Sequence, residues 1–302
     1  MTRHLQSPWI DSLGLAFLHA SRLLEALLPP QLLRWALLPF AAAIALYSLL
    51  VEPRSQAAAR ARACPHPGTR FKSQVRLQLS RFVSTWPDRL SEPRWQRRFE
   101  IRGAALQQAL ATGRPVILVS GHFGPFHLVS YFLRANGIPA ATFIDNPARA
   151  MRASRRAKIR LSRLPGIKTT FSSQDPPREI HRFLKQDNVV RMAFDVPVGT
   201  TIEVPCGAAQ LSFATGSIRL AAATGASLIP YAISESSPWH FVLHLGSPVP
   251  PELLARKADP APAAQHIAAE CWGFFSQSPA QAQAILLAAM SSRARDPLNP
   301  HP

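Results

Sequence analysis

Pro115 is followed by Val-Ile-Leu-Val-Ser, a short unbroken apolar run between Gly113 and Gly121. The run is too short for an ordinary helix, and it does not alternate, so both faces must be buried. That is the pattern of a strand inside a parallel sheet. Strand-like runs recur at residues 138–144, 167–171, 189–194, 227–234 and 241–245. Helix-like stretches at 128–135, 148–164, 178–185 and 215–223 separate several of them. Strand and helix in alternation predict an α/β fold, a mostly parallel central sheet flanked by helices. Two more helices are expected upstream, around 74–82 and over 95–111, the second stopped by Gly113 at a left-handed cap.

The N-terminal sixth has a different character. Residues 35–51 are 17 uncharged side chains in a row, the lower limit for crossing a bilayer as a helix, and Pro39 inside the run either kinks a helix or starts one. Residues 13–33 carry Arg22 and Glu25 among leucines, which suits an interfacial amphipathic helix. An N-terminal apolar membrane anchor is therefore expected, against the alternative of a helical hairpin packed on the domain. A cleaved signal peptide fits poorly, because roughly 30 residues precede the most apolar run. Arg54, Arg60, Arg62 and Arg70 follow that run, whereas Arg22 and Arg34 precede it, a slight bias that keeps the body on the cytoplasmic side. The chain divides into a membrane-associated helical segment (1–55), a connector with helices (56–112), an α/β domain (113–291) and a disordered tail (292–302).

Charged residues make up only 17%, against about 25% in an ordinary soluble domain. The balance is lopsided: 34 Lys and Arg against 17 Asp and Glu leave +17, which calls for an anionic partner. Cys64, Cys206 and Cys271 show no C-x-x-C spacing, so a disulfide framework or a cysteine-rich zinc site is not expected. Nucleic acid is not expected either, since no basic platform interleaved with aromatics is present.

In an open α/β sheet, ligands gather beyond the carboxyl ends of the strands. The first such end in the body reads Ser120-Gly-His-Phe-Gly-Pro-Phe-His127. Gly121 and Gly124 let the backbone turn sharply and approach a ligand. His122 stands where a histidine can serve as general base, accepting a proton at neutral pH and returning it later. Capping the helix that begins at Leu128 is the plainer role for a histidine here. A metal site is not expected, because His122 and His127 have no third ligand nearby.

These residues resemble the first motif of the lysophospholipid acyltransferase superfamily, a His followed after four residues by Asp or Glu. The closest resemblance is to its bacterial lipid A late acyltransferase branch, the lauroyl and myristoyl transferases. Three more blocks follow in order: Phe143-Ile-Asp-Asn-Pro147, Phe194-Asp-Val-Pro-Val-Gly199 with Val204-Pro-Cys-Gly207, and the stretch from Gly216 to Pro230. The resemblance implies transfer of a fatty acyl group from an acyl carrier protein or coenzyme A thioester to a hydroxyl or amine of an anionic lipid or glycolipid. It further implies a lipid A-like product, no cofactor, and a place on the cytoplasmic face of a bacterial-type inner membrane. His122 would be the base. His127 stands where the family has its acid, so either His127 itself or a carboxylate from elsewhere orients the imidazole; Asp145 and Asp195 lie at predicted strand ends on the same edge, and His122, His127 and Asp195 are the candidate catalytic residues. Gly121, Gly124, Asn146, Gly199 and Gly216 fall at the family's substrate-binding blocks. Phe123, Phe126 and the region 211–213 are candidates for lining the acyl chain, with core packing as the alternative. A catalytically impaired, lipid-binding relative is the competing reading.

Arg149, Arg152, Arg156, Arg160 and Arg163 are spaced 3, 4, 4 and 3, which sets five guanidiniums on one helix face. Phosphorylated head groups, the anionic leaflet and an acidic carrier protein all fit such a stripe. Arg149, Arg152, Arg156 and Arg160 are the candidate substrate-binding arginines.

Overall fold

The computed structural model describes residues 23–51, 66–84, 86, 89–144, 170–186, 188–196, 199–207 and 209–291, together with residues 20, 57, 61 and 64. The basic helix expected over 148–164 and the tail 292–302 lie outside the described residues.

Pro30 opens α1 (Pro30–Leu50), where its fixed φ and missing N–H suit the first turn. Pro39 lies inside α1 on an exposed side and removes one intrahelical bond without ending the helix. Leu33, Leu37, Ala41 and Ala45 recur every fourth residue and are buried with Val75, Leu79 and Phe82 of α2 (Pro67–Val83). The two alanines leave room for the helices to approach. On its other sides α1 exposes Trp35, Phe40, Ile44, Tyr47 and Leu50. Its best 18-residue window has mean hydropathy 1.7 with 22% of that window buried, so by length and composition it is long and apolar enough to cross a bilayer.

The chain just ahead of α1 is tied to the body by a buried carboxylate. Glu25 Oε1 accepts from Arg94 at 2.5 Å and from the Trp95 indole N–H at 3.0 Å, while Arg89 lies 3.6 Å from its other oxygen. Trp95 in turn packs between Trp86 and Trp239, with ring centroids 6.0 and 5.6 Å away.

The helix expected over 95–111 is three elements instead: α3 (Pro93–Gln96), β1 (Phe99–Arg102) and α4 (Ala105–Ala111). Phe99 and Ile101 alternate with Glu100 and Arg102, a period of two that suits an edge strand. Gly103 then turns the chain at φ +98°, against the Leu245 carbonyl oxygen, which an added Cβ would meet at 2.6 Å.

The elements that follow are β2 (Val116–Ser120), α5 (Leu128–Ala135), β3 (Ala140–Phe143), β4 (Thr170–Phe171), α6 (Pro177–Leu184) and β5 (Val189–Ala193). Next come β6 (Thr201–Cys206), β7 (Ala209–Ala214), α7 (Gly216–Thr224), β8 (Ser227–Ser237) and β9 (His240–Leu245). The chain closes with α8 (Pro260–Phe275), α9 (Ala284–Ala289) and β10 (Met290–Ser291). Seven strands form the main sheet in the order β1-β9-β8-β2-β5-β3-β4, parallel at every pairing except β8 with β9. The mostly parallel α/β architecture expected from the sequence is thus present. All of β2 is buried. Ile117 and Val119 face one core layer, under α6, α7 and α8, and Val116 and Leu118 face the other, with α1, α2 and α5. A smaller antiparallel sheet, β10-β7-β6, stands beside it.

The last residues of β8 hold a second buried carboxyl. Glu235 is 5% exposed and accepts the Trp239 backbone N–H at 2.7 Å, while Trp239 takes a positive φ of 57°. Burial pushes the Glu235 carboxyl up to about 7, against the opposing pull of that N–H and of the Arg76 and Arg34 charges.

The folded state therefore holds a proton on Glu235 that the unfolded chain, titrating near 4.5, releases earlier. The stability this residue contributes is present below 4.5 and is lost as pH rises through about 7. Glu235→Gln keeps the acceptor for Trp239 and removes the titration. It should match the parent at pH 4.5 and exceed it at pH 8 by up to about 3 kcal/mol, read from denaturant midpoints in detergent. The same pH slope in the variant would contradict this.

Candidate active site

β2 and β5 are adjacent and parallel, in a register that pairs Ser120 with Ala193. Both strands end there, and the Phe194 N–H still reaches the Ser120 carbonyl at 3.1 Å. Two residues further along each chain stand His122 and Asp195. The register alone puts them side by side beyond the carboxyl edge of the sheet.

The contact is double. Asp195 Oδ1 lies 2.7 Å from His122 Nδ1, and Oδ2 accepts the His122 backbone N–H at 2.7 Å. Asp195 is 1% exposed, and the His122 side chain is 18% exposed. A carboxylate facing Nδ1 assigns the ring proton to that nitrogen and leaves Nε2 with its lone pair. The Phe126 ring meets the imidazole in a T-shaped contact, centroids 4.4 Å apart. From the far side the Gln283 N–H donates to the His122 carbonyl at 2.9 Å.

Two glycines make this turn possible. A Cβ on Gly121 would meet Leu286 at 2.7 Å, the Phe194 ring at 3.2 Å and Asp195 Oδ2 at 3.3 Å. Gly124 has φ +53°, and a Cβ there would lie 2.0 Å from the Ile233 carbonyl oxygen.

His127 directs its Nε2 elsewhere, 3.4 Å from the Ser80 carbonyl of α2, at the position just before α5. Asn146, Arg149, Arg152, Arg156 and Arg160 lie outside the described residues, as does Asp145. Gly199 is exposed on the bend before β6 with φ +72°, and Gly216 is exposed as the first residue of α7. A Cβ at Gly199 would meet nothing within 4 Å among the described residues, and one at Gly216 would meet Met192 at 3.8 Å. Phe123, Leu211 and Phe213 are fully buried core side chains, with Phe123 stacked on Phe275 and Phe213 on Phe194. Phe126, half-buried, is the candidate lining residue that touches the imidazole.

Arg191 escaped the sequence reading because it lies inside an apolar strand. Its guanidinium is buried and donates to Ser130 Oγ at 3.2 Å, Tyr231 Oη at 3.2 Å and Thr142 Oγ1 at 3.1 Å. The cation also lies 5.0 Å from the Phe126 ring centroid, beneath the ring that packs on His122. Burial pushes the Tyr231 phenol up, and the Arg191 charge opposes that shift. A charged residue in the middle of a buried strand was the available signal.

In chemical terms, a partly exposed imidazole with one nitrogen held by a buried carboxylate has the arrangement that lets a histidine act as a general base through its other nitrogen. No curated protein matches the chain. Among solved structures it is similar to the 1-acyl-sn-glycerophosphate acyltransferase of Thermotoga maritima. That likeness has 14% identity and a TM-score of 0.35, over 72% of this chain and 88% of that one. Residues 81–283, which include the His122 turn and Asp195, match the bacterial lipid A biosynthesis acyltransferase family. With more than half of its length matched, the chain belongs to that family.

Proposed function

We propose that the protein transfers a fatty acyl group from a thioester of acyl carrier protein or coenzyme A to a hydroxyl of a lipid acceptor, with His122 as general base. The observation that carries this reading is the double contact of Asp195 with His122. His122 Nε2 takes the hydroxyl proton as the oxygen attacks the thioester carbonyl. A carbon–oxygen bond forms, the carbon–sulfur bond breaks, and the imidazolium returns its proton to the leaving thiolate. Asp195 orients the ring and stabilises the imidazolium, the part the acid plays in a serine-protease triad. The carboxylate that the family's motif places at residue 127 thus comes from the neighbouring strand, and His127 serves as a contact between α5 and α2. The reaction needs no cofactor. The exposed apolar sides of α1, with the family's lipid chemistry, support membrane association, and we assign the catalytic body to the cytoplasmic face of an inner membrane. A lipid A-like glycolipid is the acceptor class that the family supports best.

Acyl transfer from defined acyl thioesters, followed by mass spectrometry of the lipid product, tests this. His122→Ala should abolish turnover in a folded protein. Asp195→Asn should lower it by about 10⁴, the loss seen when an orienting acid becomes an amide. His127→Ala should stay within about tenfold of the parent, since no reacting group depends on it. Undiminished turnover in Asp195→Asn would end the proposal.

Gly121→Ala offers a steric test. The added methyl forces the Leu286 side chain aside and presses on the Phe194 ring and Asp195 Oδ2, so kcat should fall by up to about tenfold, less than the hundredfold of a 1 Å misplacement, while the protein still folds. A parental kcat would mean that the pair tolerates displacement.

A further inference from the structure

A cavity of about 210 Å³ lies between α2 and the back of the His122 turn. Lys72 and Arg76, one helical turn apart, line it from α2, Gly124 and Pro125 from the turn, and Gln283 and Glu235 from the opposite side. Neither Lys72 nor Arg76 makes a hydrogen bond or ion pair among the described residues. Glu235, 5% exposed, spends Oε1 on the Trp239 N–H, and its carboxyl makes no further hydrogen bond among the described residues. Oε2 therefore opens on the cavity, where a ligand or water can satisfy it.

We infer that this cavity binds a phosphate ester of a substrate, with Lys72 and Arg76 as its cationic clamp and the Glu235 carboxyl as a hydrogen-bond donor from the floor. The inference rests on the acyltransferase reading, because it names the charged group of a substrate for that same turn. Charge selects an anion: Lys72 and Arg76 on the wall and Arg34 of α1 nearby all repel a cationic group. The charged groups that act on Glu235 are Arg76 from α2 and Arg34 from α1, and burial nevertheless favours its neutral form. A neutral carboxyl donates to a phosphate oxygen, whereas an ionised one repels it. Guanidinium and ammonium groups supply the charge-assisted bonds. The site is joined to the reacting turn through the Gln283 N–H, which donates to the His122 carbonyl.

The test is a binding titration with full-length His122→Ala protein in nonionic detergent, in which turnover is removed. The probes are dihexanoylphosphatidylglycerol, a phosphate-bearing lipid, and coenzyme A, the phosphate-bearing part of a donor. Adding Lys72→Ala and Arg76→Ala should weaken one probe about tenfold or more per cation removed. Weakening of the lipid assigns the cavity to the acceptor, and weakening of coenzyme A assigns it to the donor. Glu235→Gln, which holds the neutral form, should tighten the same probe at pH 8 by up to about tenfold. Parental affinity for both probes in the doubly substituted protein overturns the inference. Because binding is read without turnover, failure of His122 as a base leaves this result standing, and failure of the site leaves the base untouched.

Discussion

The register between β2 and β5 is the constraint on which the rest depends. Five consecutive pairs, from Val116 with Val189 to Ser120 with Ala193, align two buried strands. A shift by one residue would exchange the faces of every side chain, so the two core layers hold the register firmly. Its consequence falls just beyond the sheet. His122 and Asp195 emerge together, and the buried carboxylate satisfies both oxygens on one residue, the ring N–H and the backbone N–H of His122. An ionised carboxylate buried without such partners would cost several kcal/mol. Here the partners come with the fold.

α2 joins this site to the apolar N-terminal helix. Val75, Leu79 and Phe82 hold the buried stripe of α1, the Ser80 carbonyl meets His127, and Lys72 and Arg76 line the cavity behind the turn. One helix therefore touches the membrane-compatible element, the reactive turn and the charged cavity. Glu25 strengthens the arrangement by pinning the chain ahead of α1 to Arg94 and Trp95.

How much of this the sequence disclosed depends on the range of the interaction involved. Short apolar runs at strand positions marked β2, β3, β5, β8 and β9, because burial on both faces leaves a local signature. Asp195 was identifiable as a carboxylate at a strand end, but nothing local distinguished it from Asp145, and the motif directed attention to His127. Choosing between them required strand order, a long-range property. The stretch 95–111 misled because glutamines and alanines outweigh the short alternation of Phe99 to Arg102, and pairing with β9 decides the matter. Pro260 and Pro262 occupy the first turn of α8 behind Asp259, which accepts the Ala261 N–H at 3.0 Å. The hairpin of β6 and β7 leaves little local signature, since Pro205 and Gly207 resemble loop residues until the second sheet is seen.

The central claim is that Asp195 holds the imidazole of His122 with its proton on Nδ1 and its accepting nitrogen at Nε2. Nitrogen-15 NMR of histidine-labelled protein reads this directly, with His122 assigned among the 10 histidines by its loss in His122→Ala. For the neutral ring the account predicts a protonated Nδ1 and a bare Nε2, a state that Asp195→Asn disperses between tautomers. A neutral His122 carrying its proton on Nε2 in the parent protein would contradict the account.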